Sequence, residues 1–123
     1  MSLEESKALV RRFTEEVNRR NIAIVDELFA PDYVDHTNKL RGREDLKRFY
    51  TKIFKDFSDF HRILEDIIAE RDKVWGRFIG TGTVTSGKRF ELTTVLILRI
   101  ANGKVVEGWT VPKIMGELYE KLL

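Results

Sequence analysis

The apolar residues in the first half of this sequence recur at the spacing of amphipathic helices. A Ser2–Glu5 capping box begins the first helix, which extends to about Arg20. A short second helix is closed by Pro31, and a third helix extends from Arg43 to about Asp56. The inward-facing positions of these helices are Leu9, Val10, Phe13, Val17, Val25, Leu28, Phe29, Leu46, Phe49, Tyr50, Ile53, Phe54 and Phe57.

The second half of the chain has the residue pattern of strands. Residues 88–113 predict two long strands joined at Asn102-Gly103, which supply the two positive φ angles of a type I′ turn. Aromatic and β-branched residues predict another strand over Lys73–Val84, whereas Phe60–Arg71 fits a helix or a bulged strand equally well. A short amphipathic helix is expected in Lys113–Leu123. Helices followed by strands indicate an α+β domain.

Composition and charge narrow the function classes. A chain of 123 residues is expected to form a single domain, residues 1–123. The 22 basic and 20 acidic side chains nearly balance and predict no nucleic-acid partner. There is no cysteine, no histidine–carboxylate pair at metal-binding spacing and no glycine-rich phosphate loop, so no metal and no cofactor are predicted. The polar N-terminus and the absence of a long apolar run predict a cytoplasmic domain without a membrane partner.

Four segments, taken in order, resemble the SnoaL-like polyketide cyclase family of the nuclear-transport-factor-two-like superfamily. They are Leu28–His36, Gly42–Glu44, Gly80–Thr81 and Asn102–Trp109, and the resemblance spans nearly the whole chain. It implies that Phe60–Arg71 is a strand. It also implies a cone-shaped, strongly curved antiparallel sheet packed against three N-terminal helices, with a blind apolar pocket, and homodimerisation through the sheet.

The resemblance also directs attention to two candidate catalytic residues. The family places its acid–base aspartate four residues after the last-strand tryptophan, a position occupied here by Lys113. Lys113 is either a desolvated amine inside the cone or a solvated lysine pointing outward. His36 matches the pocket-mouth position of a base in related folds, and its alternative is a surface or loop-bonded imidazole. Asp35 should then face the opposite way.

The remaining candidates concern the pocket wall and the outer face of the sheet. Arg77 and Arg99 are expected to face solvent or a dimer partner, and Glu107 to pair with one of them across strands. Six apolar residues are expected to serve as core or to line the pocket and bind substrate. They are Phe13, Val17, Val34, Phe54, Phe57 and Trp109.

Three functions remain open from the sequence. The first is a protein that binds an apolar or aromatic small molecule and lacks the usual cyclase aspartate. The second is an isomerase, cyclase or aldol-type enzyme acting on a carbonyl or polyketide-like substrate, with His36 as base and Lys113 in place of the aspartate. The third is a non-catalytic interaction module, which predicts an exposed apolar patch on the sheet and no continuous cavity.

Overall fold

The computed structural model describes residues 1–123, which form four helices and six strands. The helices are α1 (Leu3–Asn18), α2 (Ile24–Leu28), α3 (Gly42–Asp56) and α4 (Glu117–Leu122). The strands are β1 (Phe29–Asp35), β2 (Leu40–Arg41), β3 (His61–Glu70), β4 (Lys73–Thr83), β5 (Arg89–Ala101) and β6 (Lys104–Val111).

Helix α1 is set by local sequence signals and held to the sheet by a long-range contact. The Ser2 hydroxyl accepts from the Glu5 N–H at 3.1 Å, and the Glu5 carboxylate accepts from the Ser2 N–H, so the expected capping box is present. At the other end, the Asn18 amide accepts from the Arg62 N–H at 3.0 Å and donates to the Arg62 carbonyl at 2.7 Å. This pair of bonds fixes α1 against the beginning of β3.

The sheet has the strand order β2-β1-β6-β5-β4-β3 and confirms the expected α+β cone. The expectation of a wholly antiparallel sheet is corrected at one pair, because β1 lies parallel to β6 while the other neighbours are antiparallel. About seventy residues separate these two strands in the chain. No tight turn therefore imposes an antiparallel direction on them.

The β5–β6 hairpin has the predicted two-residue turn. Asn102 and Gly103 have φ angles of 53° and 74°, and Ala101 pairs with Lys104 on either side of them. Both central residues therefore lie in the left-handed region, as a type I′ turn requires. The long hairpin is the central element of the sheet, since β1 and β4 flank it.

Strand β3 contains a bulge that explains the ambiguity of its sequence. Leu64 pairs with Phe78 and Asp66 pairs with Arg77, which leaves Glu65 as an extra residue. The bulge puts Leu64 and Ile67, three positions apart, on the inner face of the sheet. An i, i+3 apolar pair is the spacing of a helix, so the sequence pattern alone could not assign this segment.

The C-terminal helix is shorter than the sequence pattern indicates. The prediction placed it within Lys113–Leu123, whereas α4 occupies only Glu117–Leu122. The intervening chain is held by Asn38, whose side-chain oxygen accepts from the Ile114 and Met115 N–H groups at 2.9 and 3.0 Å. Gly116, whose φ of 104° lies outside the helical region, then separates this segment from α4. No helix has the combination of length and apolar character that a membrane span needs.

The predicted end of the second helix also differs from the structure. Helix α2 ends at Leu28, and Pro31 lies inside β1. Strand β1 pairs with its neighbours at Phe29, Val34 and Asp35, so Pro31 falls in the irregular stretch between Phe29 and Val34. A proline is tolerated there because no ladder hydrogen bond is required of it.

Candidate functional site

A cavity lies between the inner face of the sheet and helices α1, α3 and α4. It has about 70 Å³ of free volume and is lined by 21 residues, of which 16 are hydrophobic. Gly80 and Gly82 leave space for aromatic side chains here. A Cβ on Gly80 would lie 3.0 Å from the Phe60 ring, and one on Gly82 would lie 2.7 Å from the Phe90 ring, so any larger residue would crowd these rings. Only two charged residues, Asp35 and Arg62, belong to the lining.

Asp35 is a buried carboxylate at the end of β1, with 4% of its surface exposed. Its Oδ1 accepts from the Thr37 and Asn38 N–H groups at 2.9 and 2.8 Å, and its Oδ2 accepts from the Thr110 hydroxyl at 3.1 Å. An ionised carboxylate has about four acceptor positions. Three are therefore occupied by the protein, and one remains for a ligand.

Tyr33, two residues before Asp35 on β1, is a second polar group that lines the cavity. Burial raises the pKa of its phenol well above its ordinary value of 10.0, and the charge of Asp35 acts in the same direction. A Cβ on Gly108 would lie 2.6 Å from the Tyr33 hydroxyl, so the glycine makes space for the phenol. Tyr33 therefore remains protonated at neutral pH and is available as a hydrogen-bond donor.

Arg62 is a buried cation on the inner face of β3, with 8% of its surface exposed. Its Nη1 donates to the Tyr50 hydroxyl at 3.1 Å, while Nε and Nη2 are buried and have no hydrogen-bond partner. The guanidinium carbon lies 4.7 Å from the centre of the Phe78 ring and 5.7 Å from that of Phe13. Cation–π attraction to these rings offsets part of a desolvation cost of roughly several kcal/mol.

Asp35 and Arg62 do not neutralise each other. No carboxylate oxygen lies within 4.0 Å of the Arg62 guanidinium, since no ion pair includes this residue. The cavity thus contains a carboxylate whose hydrogen bonds are largely satisfied and a guanidinium whose hydrogen bonds are not. The arrangement can accept a proton or hydrogen bond at one position and donate two hydrogen bonds at another.

The structure separates the residues predicted to form the pocket. Phe13 and Phe57 line the cavity, whereas Val17, Val34, Phe54 and Trp109 do not. Val17 is fully buried in the core. Trp109 alternates with the inward-facing Thr110 and therefore lies on the outer face of the sheet.

His36 and Lys113, the predicted catalytic pair, also lie outside the cavity lining. The His36 ring stacks on Trp109 with centroids 5.0 Å apart, and its Nε2 lies 2.7 Å from the Glu107 carboxylate. Lys113 is exposed in the segment after β6. Their catalytic role stays a prediction, but neither is placed to touch a molecule inside the cone.

The outer-face pairing of Glu107 is resolved by the structure. The Glu107 Oε1 accepts from Arg99 Nε at 2.5 Å, and the two residues are directly opposite each other on β6 and β5. Arg99 contributes most to lowering the pKa of Glu107, and His36 adds to it. Arg77, the other candidate partner, is exposed on β4.

Sequence reasoning missed both charged residues of the cavity, although signals for each exist. Asp35 was correctly expected to face away from His36, yet the cavity was placed on the wrong side of β1. Arg62 occurs in the series Phe60, Arg62, Leu64, which alternates at the strand period. Once that segment is taken as a strand, the alternation places Arg62 on the apolar face.

Helix α4 covers one end of the cavity and is tied to α3. Tyr119 and Leu122 line the cavity, and the Tyr119 hydroxyl donates to the Asp56 carboxylate. The Tyr119 ring packs against Phe57 with centroids 5.6 Å apart. Burial, followed by the hydrogen bond to Asp56, raises the pKa of Tyr119, and the same bond lowers the pKa of Asp56.

Comparison with known proteins gives the family of the chain. The family model described as SnoaL-like polyketide cyclase matches residues 8–119. AclR from Streptomyces galilaeus is 27% identical, with a TM-score of 0.80 over 97% of this chain and 96% of AclR. TsrD from Streptomyces laurentii is 21% identical, with a TM-score of 0.81 over 89% of each chain. No curated protein matches the sequence significantly. The family resemblance seen in the sequence is confirmed.

The tether between α4 and α3 predicts a loss of stability in acid. The pKa of Asp56 lies below its ordinary value of 3.8, so its contribution is complete above that value and is lost as the pH falls through the lowered pKa. Asp56→Asn should therefore lower the melting temperature at neutral pH and reduce its decline in acid. Circular dichroism melts between about pH 2.5 and 7 measure this.

Two variants make the acid experiment specific. Tyr119→Phe removes the donor and should also reduce the decline, whereas Glu120→Gln removes an exposed carboxylate of α4 and should leave it unchanged. If Asp56→Asn and the unaltered protein lose the same stability over the same pH range, the tether makes no pH-dependent contribution.

Proposed function

The chain belongs to the SnoaL-like polyketide cyclase family, and we propose that it binds a small apolar or aromatic molecule in the cavity of the cone. The observation that carries the proposal is the lining itself, a mostly apolar wall with a few polar groups directed at one space. This combination is typical of small-molecule sites, where apolar contact supplies affinity and few polar groups supply orientation.

The size of the cavity limits the ligand. Its free volume of about 70 Å³ is roughly half that of an apolar cavity that takes up benzene. A ligand with an aromatic ring must therefore displace side chains. The side chains at the α4 end, such as Leu122, are the ones to move, because α4 is only six residues long.

Filling the cavity should weaken binding while leaving the fold intact. Leu92→Phe adds volume on the inner face of β5, at a stability cost of about 1–3 kcal/mol, and should weaken toluene binding at least about tenfold. The matched control is Thr93→Phe, on the same strand but exposed on the outer face and outside the apolar row. Toluene titrations followed by ¹H–¹⁵N spectra measure both. Equal toluene affinity in the two variants would place the ligand elsewhere.

A second function, proton transfer next to a carbonyl group, is supported by Asp35. A carboxylate in an apolar cavity can remove a proton from the carbon, while the electron pair moves to the carbonyl oxygen and gives an enolate. The neutral Tyr33 phenol, on the same strand as Asp35, and the Arg62 guanidinium, on β3, also line the cavity and are the donors available to such an oxygen. The roles proposed for His36 and Lys113 require instead a substrate bound outside the cavity.

Hydrogen exchange of a simple ketone distinguishes these assignments. The substrate is acetophenone in D₂O, and the quantity measured is the exchange of its methyl hydrogens for deuterium. Asp35→Asn should lower this exchange rate by about 100-fold or more, because the amide cannot take a proton. Asp32→Asn, on the same strand but exposed, is the control. A loss of exchange in His36→Gln or Lys113→Ala, with Asp35→Asn unaffected, would return the proton transfer to the groups predicted from sequence.

We also propose that the outer face of the sheet joins two copies of the chain. Ile68, Trp75, Ile97 and Trp109 are successive partners across four strands, and Ile68 and Trp75 are 61% and 46% exposed. Val111, at the end of β6, adds a further apolar side chain that is 55% exposed. A continuous apolar row is unusual on a free surface and fits a two-fold interface in which the same patch is used twice.

A charge placed in this row should prevent association. The unaltered protein is expected to sediment at about twice 14.4 kDa, and Trp75→Glu at the monomer mass, because the carboxylate would be buried without a partner. Thr85→Glu, in the exposed β4–β5 turn, adds the same charge and should remain dimeric. A monomeric unaltered protein at about 100 µM would contradict the dimer and favour a different protein partner.

A further inference from the structure

We infer that the ligand of the cavity is a monocarboxylate, and that Arg62 binds its carboxylate group through Nε and Nη2. The inference rests on the proposed binding function and adds the chemical class of the ligand. It starts from the two guanidinium nitrogens that are buried in the protein without a hydrogen-bond partner.

The unpartnered atoms are the pair that a carboxylate requires. In a planar guanidinium, the N–H bond of Nε and one N–H bond of Nη2 lie parallel along the same edge. The two oxygens of a carboxylate match this edge and form two parallel, charge-assisted hydrogen bonds. The third nitrogen, Nη1, is already occupied by the Tyr50 hydroxyl at 3.1 Å. The unbonded edge therefore offers both donors of a bidentate site, and because neighbouring side chains cover the two atoms, a carboxylate reaches them when those side chains move.

The protein holds this edge in position before any ligand arrives. The Asn18 side chain bonds both the N–H and the carbonyl of Arg62, which fixes the backbone at the base of the side chain. The Tyr50 hydroxyl and the Phe78 ring, 4.7 Å from the guanidinium carbon, fix its far end. A donor pair that is already ordered loses little conformational entropy when it binds.

A structural role would require a partner that the protein does not supply. Asp35, the other charged residue of the lining, lies beyond ion-pair distance and is bonded to Thr37, Asn38 and Thr110. A buried charge without a partner is costly, and a neutral ligand would leave it so. An anionic ligand supplies the missing charge and fills the apolar space with the rest of its structure.

The Tyr50 hydroxyl adds a third donor to the site. Because it accepts from Arg62 Nη1 and donates to no acceptor in the protein, its own proton is free. Tyr50 also lines the cavity. One carboxylate oxygen can thus receive a hydrogen bond from the phenol as well as from the guanidinium. The site therefore suits a small aliphatic or aromatic acid with a single carboxylate.

Three probes of similar size test the inference, namely benzoate, benzamide and toluene. At neutral pH, calorimetric titration should show benzoate binding about 10- to 100-fold more tightly than benzamide, because only benzoate forms two charge-assisted hydrogen bonds with the guanidinium. Arg62→Met should remove this preference and retain toluene binding. Arg62→Lys should keep part of it, because an ammonium group supplies the charge without the parallel donors.

The controls separate a binding role from a structural one. Arg77→Met makes the same change on the outer face of β4 and should leave the benzoate preference unchanged. Without ligand, Arg62→Met should melt at or above the temperature of the unaltered protein, because an unpaired buried charge is replaced by an apolar side chain. If Arg62→Met does not fold, a benzoate preference in Arg62→Lys equal to that of the unaltered protein would overturn the bidentate site.

The three probes distinguish failure of the carboxylate site at Arg62 from failure of small-molecule binding in the cavity. Toluene binding with equal affinities for benzoate and benzamide in the unaltered protein would overturn the carboxylate site while leaving the cavity as an apolar binding site. Failure of all three probes to bind would overturn the proposed function together with the carboxylate site. A benzoate preference that persists unchanged in Arg62→Met would assign the anion to another part of the protein.

Discussion

Burial of one face of a curved sheet is the constraint on which this structure depends. At one end the inner face is closed by close packing, where Val74 and Phe78 are almost completely excluded from water. At the other end α3 and α4 cover the concave surface without filling it, which leaves the cavity. The same hydrophobic effect that stabilises the fold therefore also produces an apolar binding space.

Two charged side chains lie within this space, and the fold treats them differently. Asp35 is surrounded by donors from the loop after β1 and from Thr110, so it connects the two parallel strands while facing the cavity. Arg62 is held at both ends but keeps one edge free. A protein of this size has little stability to spare, so an unpaired buried cation is most simply explained by the function of the site.

Much of the fold could be predicted from local signals in the sequence. The Ser2–Glu5 capping box, the Asn102-Gly103 turn and the apolar spacing of α1 and α3 depend on neighbouring residues, and each is present. Strand β3 was ambiguous because the bulge at Glu65 breaks the period of two, and only the family resemblance assigned it as a strand. Helix α4 begins at Glu117, after Gly116 with a φ of 104°, a boundary that the apolar spacing of the segment does not show.

The sequence by itself determined the elements, their order and the family, since these follow from local propensity, periodicity and motif order. Only the tertiary structure decided which side of each strand faces the cavity. From Tyr33 to Asp35 the side chains of β1 alternate between the two faces, and His36 follows directly, so the choice between Asp35 and His36 reverses with the face that the helices cover. Arg62 is held in position by Asn18 and Tyr50, which lie 44 and 12 positions away in the chain. Such contacts depend on packing of distant segments, and periodicity carries no information about them.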